Sequence, residues 1–109
     1  MFRQRAPFVR HPGLVDPWET ELAEDAQAVL GAGYRFRARD QGNTWVVDIV
    51  RDDGSVAWPD FGGGLDPLRA ILAAEQRYLV EQAGKGAVRG QTYLDKANER
   101  IRRFRETRA

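Results

Sequence analysis

The segment YRFRARDQGNTWVVDIVR, running from Tyr34 to Arg51, decides the fold. From Tyr34 to Arg39 it alternates strictly, Tyr-Arg-Phe-Arg-Ala-Arg, the pattern of a strand with one buried face. Asp40-Gln-Gly-Asn43 has turn composition, and Thr44 to Arg51 reads as a second strand. With residues 40–43 as the loop, Arg39 faces Thr44. The pairs Ala38–Trp45, Phe36–Val47 and Tyr34–Ile49 then share the core face, and Arg35 stands opposite Asp48 on the other. This register satisfies both faces at once.

Working outward toward the C-terminus, Asp53-Gly54 is a hairpin signal that leads into a third strand, Ser55 to Trp58, with Ile49 across from Trp58. Pro59 has no N–H to give to a ladder, so it predicts either the end of pairing or an edge strand. Gly62-Gly-Gly64 and Asp66-Pro67 follow. A strand, glycines and a helix start form the layout that holds phosphates on free backbone N–H groups. Here the Asp66 carboxylate takes that position, Pro67 removes one N–H, and no Gly-Lys-Ser/Thr follows. The expectation is a tight strand-to-helix corner or a hinge whose helix start is filled by the chain's own anion.

Helices flank the strands. Asp16-Pro17 supplies an N-cap and a first-turn proline, and Trp18, Leu22, Ala26, Val29 and Leu30 fall on one face. Gly31 or Gly33 is expected to end this helix. The second helix is predicted from Pro67 to about Gln82, with Leu68, Ile71, Leu72 and Leu79 on its apolar face, and Gly84-Lys-Gly86 as its stop. Thr92 and Asp95 give a capping-box-like start to a last helix of about fifteen residues. The fold class is α+β: an N-terminal helix, a three-stranded antiparallel meander, a covering helix and a C-terminal amphipathic basic helix. Residues 1–15 form an arm, 16–84 an α-β-β-β-α core domain, and 85–109 a linker and the C-terminal helix. Phe2, Phe8, Val9, Leu14 and Val15 equip the arm to dock on the core or on a second subunit.

Composition sets outer bounds. A chain of 109 residues suits one domain, and 42% hydrophobic with 30% charged residues is ordinary for a globular protein. The absence of cysteine excludes disulfides and thiolate chemistry. No apolar run reaches bilayer length and the N-terminus lacks an apolar signal region, so a cytoplasmic protein without a membrane partner is expected. The net charge of +1 hides an uneven spread. Arg3, Arg5 and Arg10 stand without acids in the arm, whereas residues 16–30 carry five acids and no base. From Lys85 onward there are eight bases against three acids.

Little in the chain suits catalysis. His11 is the only histidine and Ser55 the only serine, one in the arm and the other in a hairpin turn. No metal site or cofactor is predicted. Asp52-Asp53 reads as turn chemistry. Glu75 is out of place among Leu68, Ile71, Leu72 and Leu79. It calls for a rim position or a structural partner, an arginine or a tryptophan N–H; the sharper reading is a functional carboxylate, with Asp60 among the other acids considered.

The order helix–strand–strand–strand–helix over residues 16–83 resembles the layout of double-stranded RNA-binding domains. Those place lysines at the start of the second helix, where this chain has Asp66-Pro67-Leu68-Arg69. A three-strand-plus-helix unit with Trp45 is similar in layout to plant-type AP2 DNA-binding domains. No family is assigned on these layouts.

The surfaces that remain predict a non-enzymatic protein-binding module, accessory or regulatory, whose partner is another chain or a second copy. Its contacts would be Leu94, Ala97, Ile101 and Phe104 on the last helix and the row Arg35, Arg37 and Arg39 on the sheet. The alternative is nucleic-acid binding through Arg3, Arg5, Arg100, Arg102, Arg103, Arg105 and Arg108. On the last helix Glu99 is spaced to pair with Arg103, and Arg102 with Glu106.

Overall fold

A computed structural model describes residues 13–14, 16–82 and 90–108, with Gly90, Gln91, Thr92, Leu94 and Arg108 described in backbone only. Arm residues other than Gly13 and Leu14, among them Arg3, Arg5 and His11, lie outside the described residues, as does the predicted Gly84-Lys-Gly86 stop. The elements are α1 (Pro17–Gln27), β1 (Tyr34–Asp40), β2 (Trp45–Arg51), β3 (Val56–Gly64), α2 (Pro67–Gln82) and α3 (Gly90–Arg108). The three strands form an antiparallel sheet in the order β1-β2-β3. This is the predicted α+β architecture.

Helix α2 is the centre of the packing, in contact with all three strands and with both other helices. Its buried face, from Leu68 through Ile71 and Leu72 to Ala74, meets Phe36, Val47 and Ile49 of the sheet, Leu22 and Ala26 of α1, and Ala97 and Ile101 of α3. Leu14 belongs to the same core, so this residue of the arm docks on its own domain. Leu79 departs from the expected apolar face and is 44% exposed. In that turn the neighbouring Tyr78 packs against the core instead.

The starts of α1 and α2 follow local chemistry, whereas α3 begins at Gly90, two residues ahead of the predicted Thr92 cap, and runs for 19 residues rather than about fifteen. The Asp16 backbone N–H donates to Glu19 Oε1 at 3.0 Å, half of a capping box. Asp66 Oδ1 accepts the Arg69 backbone N–H at 2.8 Å, so the carboxylate does occupy the amide-rich start of α2. Asp66→Ala is expected to cost about 1 kcal/mol of stability, read from the urea midpoint. The end of α1 is tighter than predicted. Val29 and Leu30 donate to Ala26 and Gln27 in i→i+3 turns, so the regular helix stops before either glycine. The Gln27 side chain then accepts the Phe36 N–H at 3.2 Å on the outer edge of β1.

The register of the first hairpin is corrected by two residues. Phe36 opposes Ile49, Ala38 opposes Val47 and Asp40 opposes Trp45; Arg37, not Arg35, stands opposite Asp48. The cause lies in the turn. Asp40 stays in the strand and its carboxylate accepts the Gly42 N–H at 2.8 Å, while Gly42 takes φ +95° and Gln41 bonds Thr44 at 2.8 Å. The loop is therefore 41–44. A slip of two residues leaves every side chain on its predicted face.

The third strand differs more. Ile49 does face Trp58, and β3 is an edge strand, but Pro59 does not end the pairing. Residues 59–61 bulge out opposite Asp48, and pairing resumes as Val47–Gly62, Val46–Gly63 and Trp45–Gly64. The three glycines are the end of a strand and not a corner or hinge. Those in register with Val47 and Trp45 share their core-facing side. A Cβ on Gly62 would lie 2.7 Å from the Ala74 backbone N and 2.8 Å from the Ala70 carbonyl oxygen. One on Gly64 would lie 2.8 Å from the Ala70 N. Missing side chains let the backbones of β3 and α2 touch.

Candidate functional site

Two charged clusters and one groove stand out. The first cluster lies on the sheet face turned away from the helices. Asp48 is 2% exposed. Its Oδ2 lies 2.6 Å from Arg39 Nε and 3.5 Å from Arg37, and its Oδ1 accepts the Asp60 backbone N–H at 3.0 Å. Arg39 also reaches the Asp60 carboxylate at 2.8 Å. Burial alone would raise the Asp48 pKa; hydrogen bonds from Arg39 and the Asp60 N–H outweigh it and hold the carboxyl below its ordinary 3.8. Asp60 takes φ 52° at the centre of the bulge, and the Asp48 bond helps to fix it there. This cluster secures the bulge that carries β3 past Pro59. Asp48→Ala is expected to cost about 2–3 kcal/mol in urea denaturation, because it strands the Asp60 N–H, takes the carboxylate from Arg37 and leaves Arg39 with Asp60 alone. Asp48→Asn, which keeps the acceptor for Asp60, should cost about 1 kcal/mol.

The second cluster explains Glu75. It is 3% exposed, so it is no rim residue, and its partner is an arginine. Arg100 Nε on α3 lies 2.8 Å from Glu75 Oε1, and Arg100 NH2 lies 3.5 Å from Asp25 on α1. The Nε–H does not point along the short contact and makes no aligned hydrogen bond, so the pairing is chiefly ionic. Gln76 donates to the same Oε1 at 3.2 Å. Burial still prevails and raises the Glu75 pKa above its ordinary 4.5, with Arg100 and Gln76 opposing it. Glu75 thus ties α2 to α3 and, through Arg100, to α1.

The groove lies between the start of α2 and one stripe of α3 and has a volume of about 640 Å³. Asn98, Ile101, Arg102, Arg105 and Glu106 line one side, spaced at helical intervals, and Leu65 and Arg69 the other. Arg69 Nε donates to Asn98 Oδ1 at 2.8 Å, bridging the two helices. Leu65 is 79% exposed at the rim. Sequence reading passed over Leu65, Arg69 and Asn98. Leu65 carried a signal, an apolar residue between a glycine and a helix cap, but only the docking of α3 completes the groove with Arg102 and Arg105.

The predicted contact residues fall in different places. Ala97 and Ile101 are buried and Phe104 is half-buried, its ring 6.3 Å from that of Trp18. The helix folds back on its own domain, and these side chains are occupied there. Leu94 and Arg108 are outside the described side chains. Arg37 and Arg39 serve Asp48, while Arg35 opposes Val50. Arg102 is held by Glu99 and by Glu106 at 2.7 Å, and Arg103 by Glu99 at 3.0 Å, the predicted helix pairs included. Arg105 sits 5.7 Å from the Trp18 ring centre, and among the described residues no carboxylate lies within ion-pair distance of it. Ser55 Oγ donates to Asp53 at 2.6 Å within the hairpin turn. Among the described residues no helix is long and apolar enough to cross a membrane.

Compared with protein-family models, with curated proteins and with solved structures, the chain matches none.

Proposed function

We propose that the chain is a small non-enzymatic protein-binding module of accessory or regulatory type. The observation that carries this reading is the groove beside α3, with Leu65 standing 79% exposed at its rim. Arginine is enriched at interface centres, and the exposed leucine adds apolar surface that a partner would cover. Trp58 adds a second contact point, half exposed on the edge strand and tilted against Tyr34 with ring centres 5.8 Å apart. Glu106 is the one carboxylate in the groove lining, and it is paired with Arg102. That supports binding over acid–base chemistry. The Arg35, Arg37 and Arg39 row is a secondary surface, since Asp48 neutralises part of it.

The nucleic-acid alternative draws on the same helix. Internal pairing of Arg100, Arg102 and Arg103 leaves fewer cations for phosphates, which favours the protein reading.

A photo-crosslinking residue placed at Leu65 tests the proposal in cells. The expected result is a discrete protein adduct, recovered again when that protein is used as bait. Absence of any adduct at Leu65 or at Trp58, together with a low-salt gel shift on duplex or single-stranded nucleic acid, would overturn it.

A further inference from the structure

We infer that the α2–α3 groove takes an acidic, leucine-bearing peptide segment of a partner protein, an inference that rests on the protein-binding reading above. Three arginines line the groove against a single glutamate. Arg69 and Arg102 already have carboxylate partners, Asp66 and the Glu99/Glu106 pair. Arg105 does not among the described residues; its guanidinium rests at the Trp18 ring with its hydrogen-bond donors uncommitted to any acid. A guanidinium in that position is served by an incoming carboxylate in a two-point contact.

The apolar half of the site asks for an aliphatic side chain. Ile101, 6% exposed, forms the floor, and Leu65 projects from the rim. An aliphatic residue of the partner laid between them would remove Leu65 from water. The carboxylates flanking it would meet Arg105 and the outer edge of Arg102. Alternating apolar and acidic residues over a few positions satisfy both requirements, and a phosphate backbone satisfies only the second. The chain's own arm is a poor occupant, because it carries Arg3, Arg5 and Arg10 and no acid. Like charges across a contact are repelled.

The probe is a short fluorescein-labelled peptide of glutamate, aspartate and leucine, titrated by fluorescence anisotropy into the full chain. Controls replace its acids by lysine or its leucines by serine. The expected affinity is micromolar, falling about tenfold or more with either control and falling again with added salt. Arg105→Glu and Leu65→Asp should each weaken binding about tenfold. The two variants guard each other: Arg105 also touches Trp18, whereas Leu65 is a rim residue whose change leaves the core intact. Circular dichroism melts of both confirm the fold.

No binding at hundreds of micromolar, or equal binding by both folded variants, would overturn the inference. So would tighter binding of an oligonucleotide at the same residues, or a self-association abolished by Leu65→Asp. If the groove variants leave the Trp58 crosslink adduct unchanged, the groove assignment fails while the binding module stands. If no adduct forms at Leu65 or Trp58 and the chain shifts nucleic acid at low salt, both fall.

Discussion

Gly62→Ala is expected to destabilise the chain by about 3 kcal/mol or more, a fall in melting temperature of roughly 15 °C. The new methyl would lie 2.7 Å from both the backbone N and the Cβ of Ala74 and 2.8 Å from the Ala70 carbonyl oxygen. None of these is the end of a flexible side chain that can swing aside. Relief requires β3 and α2 to separate, and α2 touches every other element. The contact has a simple geometry. Gly62 and Gly64 repeat every two residues along a strand, about 6.7 Å. Ala70 and Ala74 repeat every helical turn, about 6 Å of rise. The two small-residue steps match, so the backbones lie flush. Gly64→Ala, at 2.8 Å from the Ala70 N, should cost a similar amount. Gly63 is the internal control: it faces away from α2, and its added Cβ would meet only the Trp45 carbonyl at 3.5 Å. Gly63→Ala should be neutral or stabilising by up to about 1 kcal/mol, since alanine costs less entropy to order. Urea denaturation of the three variants checks the pattern. Equal midpoint shifts would mean that the glycines do not set the distance between helix and sheet.

Arg100→Ala should be the second large effect, and it should depend on pH. Removing the arginine leaves Glu75 buried beside only Gln76, with Asp25 as a distant like charge. Breaking a buried pair from one side costs about 3–5 kcal/mol when the site is fully dry. The Arg100 side chain is 31% exposed, so about 2–3 kcal/mol near pH 7 is the scaled expectation. The sign with pH follows from burial. In the folded chain Glu75 titrates above its ordinary 4.5, so the unfolded chain loses its proton first as pH rises. Between the two pKa values the native state binds more protons, and stability falls with rising pH. Without Arg100 the folded pKa rises further and this window widens upward. The gap between the variant and the parent should therefore be larger near pH 7 than near pH 5. Asp48 contributes with the opposite sign: its pKa is lowered, so its stabilisation is present above 3.8 and is lost as pH falls through the folded value. Thermal melts at both pH values decide the matter, and a pH-independent gap would refute the ionised state of Glu75. Replacing both partners together, Glu75→Met with Arg100→Met, should restore most of the lost stability.

Much of this was legible in the chain before folding. The alternation from Tyr34 to Arg39 assigned the side chains of β1 to their faces up to Arg39, and the Asp-Pro pairs at 16–17 and 66–67 placed the starts of α1 and α2. The 3,4,3 spacing of Leu94, Ala97, Ile101 and Phe104 marked the inner stripe of α3, and its Ala97 and Ile101 are buried. These signals are local: a two-residue or a 3.6-residue period, or a cap within a single turn, needs no knowledge of distant residues.

Most of what the folded structure alone decided involves partners far apart in sequence, the first hairpin being the local exception. The two-residue hairpin shift came from an aspartate bonding across its own turn, an energy that face parity does not sense. The glycines became a strand because α2 needed a surface without side chains. Glu75 met Arg100, and Leu65 came to line one groove with Arg102 and Arg105, only once α3 lay against α2. Periodicity states which side of an element is apolar; it does not state which element will cover it, because burial is a property of pairs of surfaces and not of one.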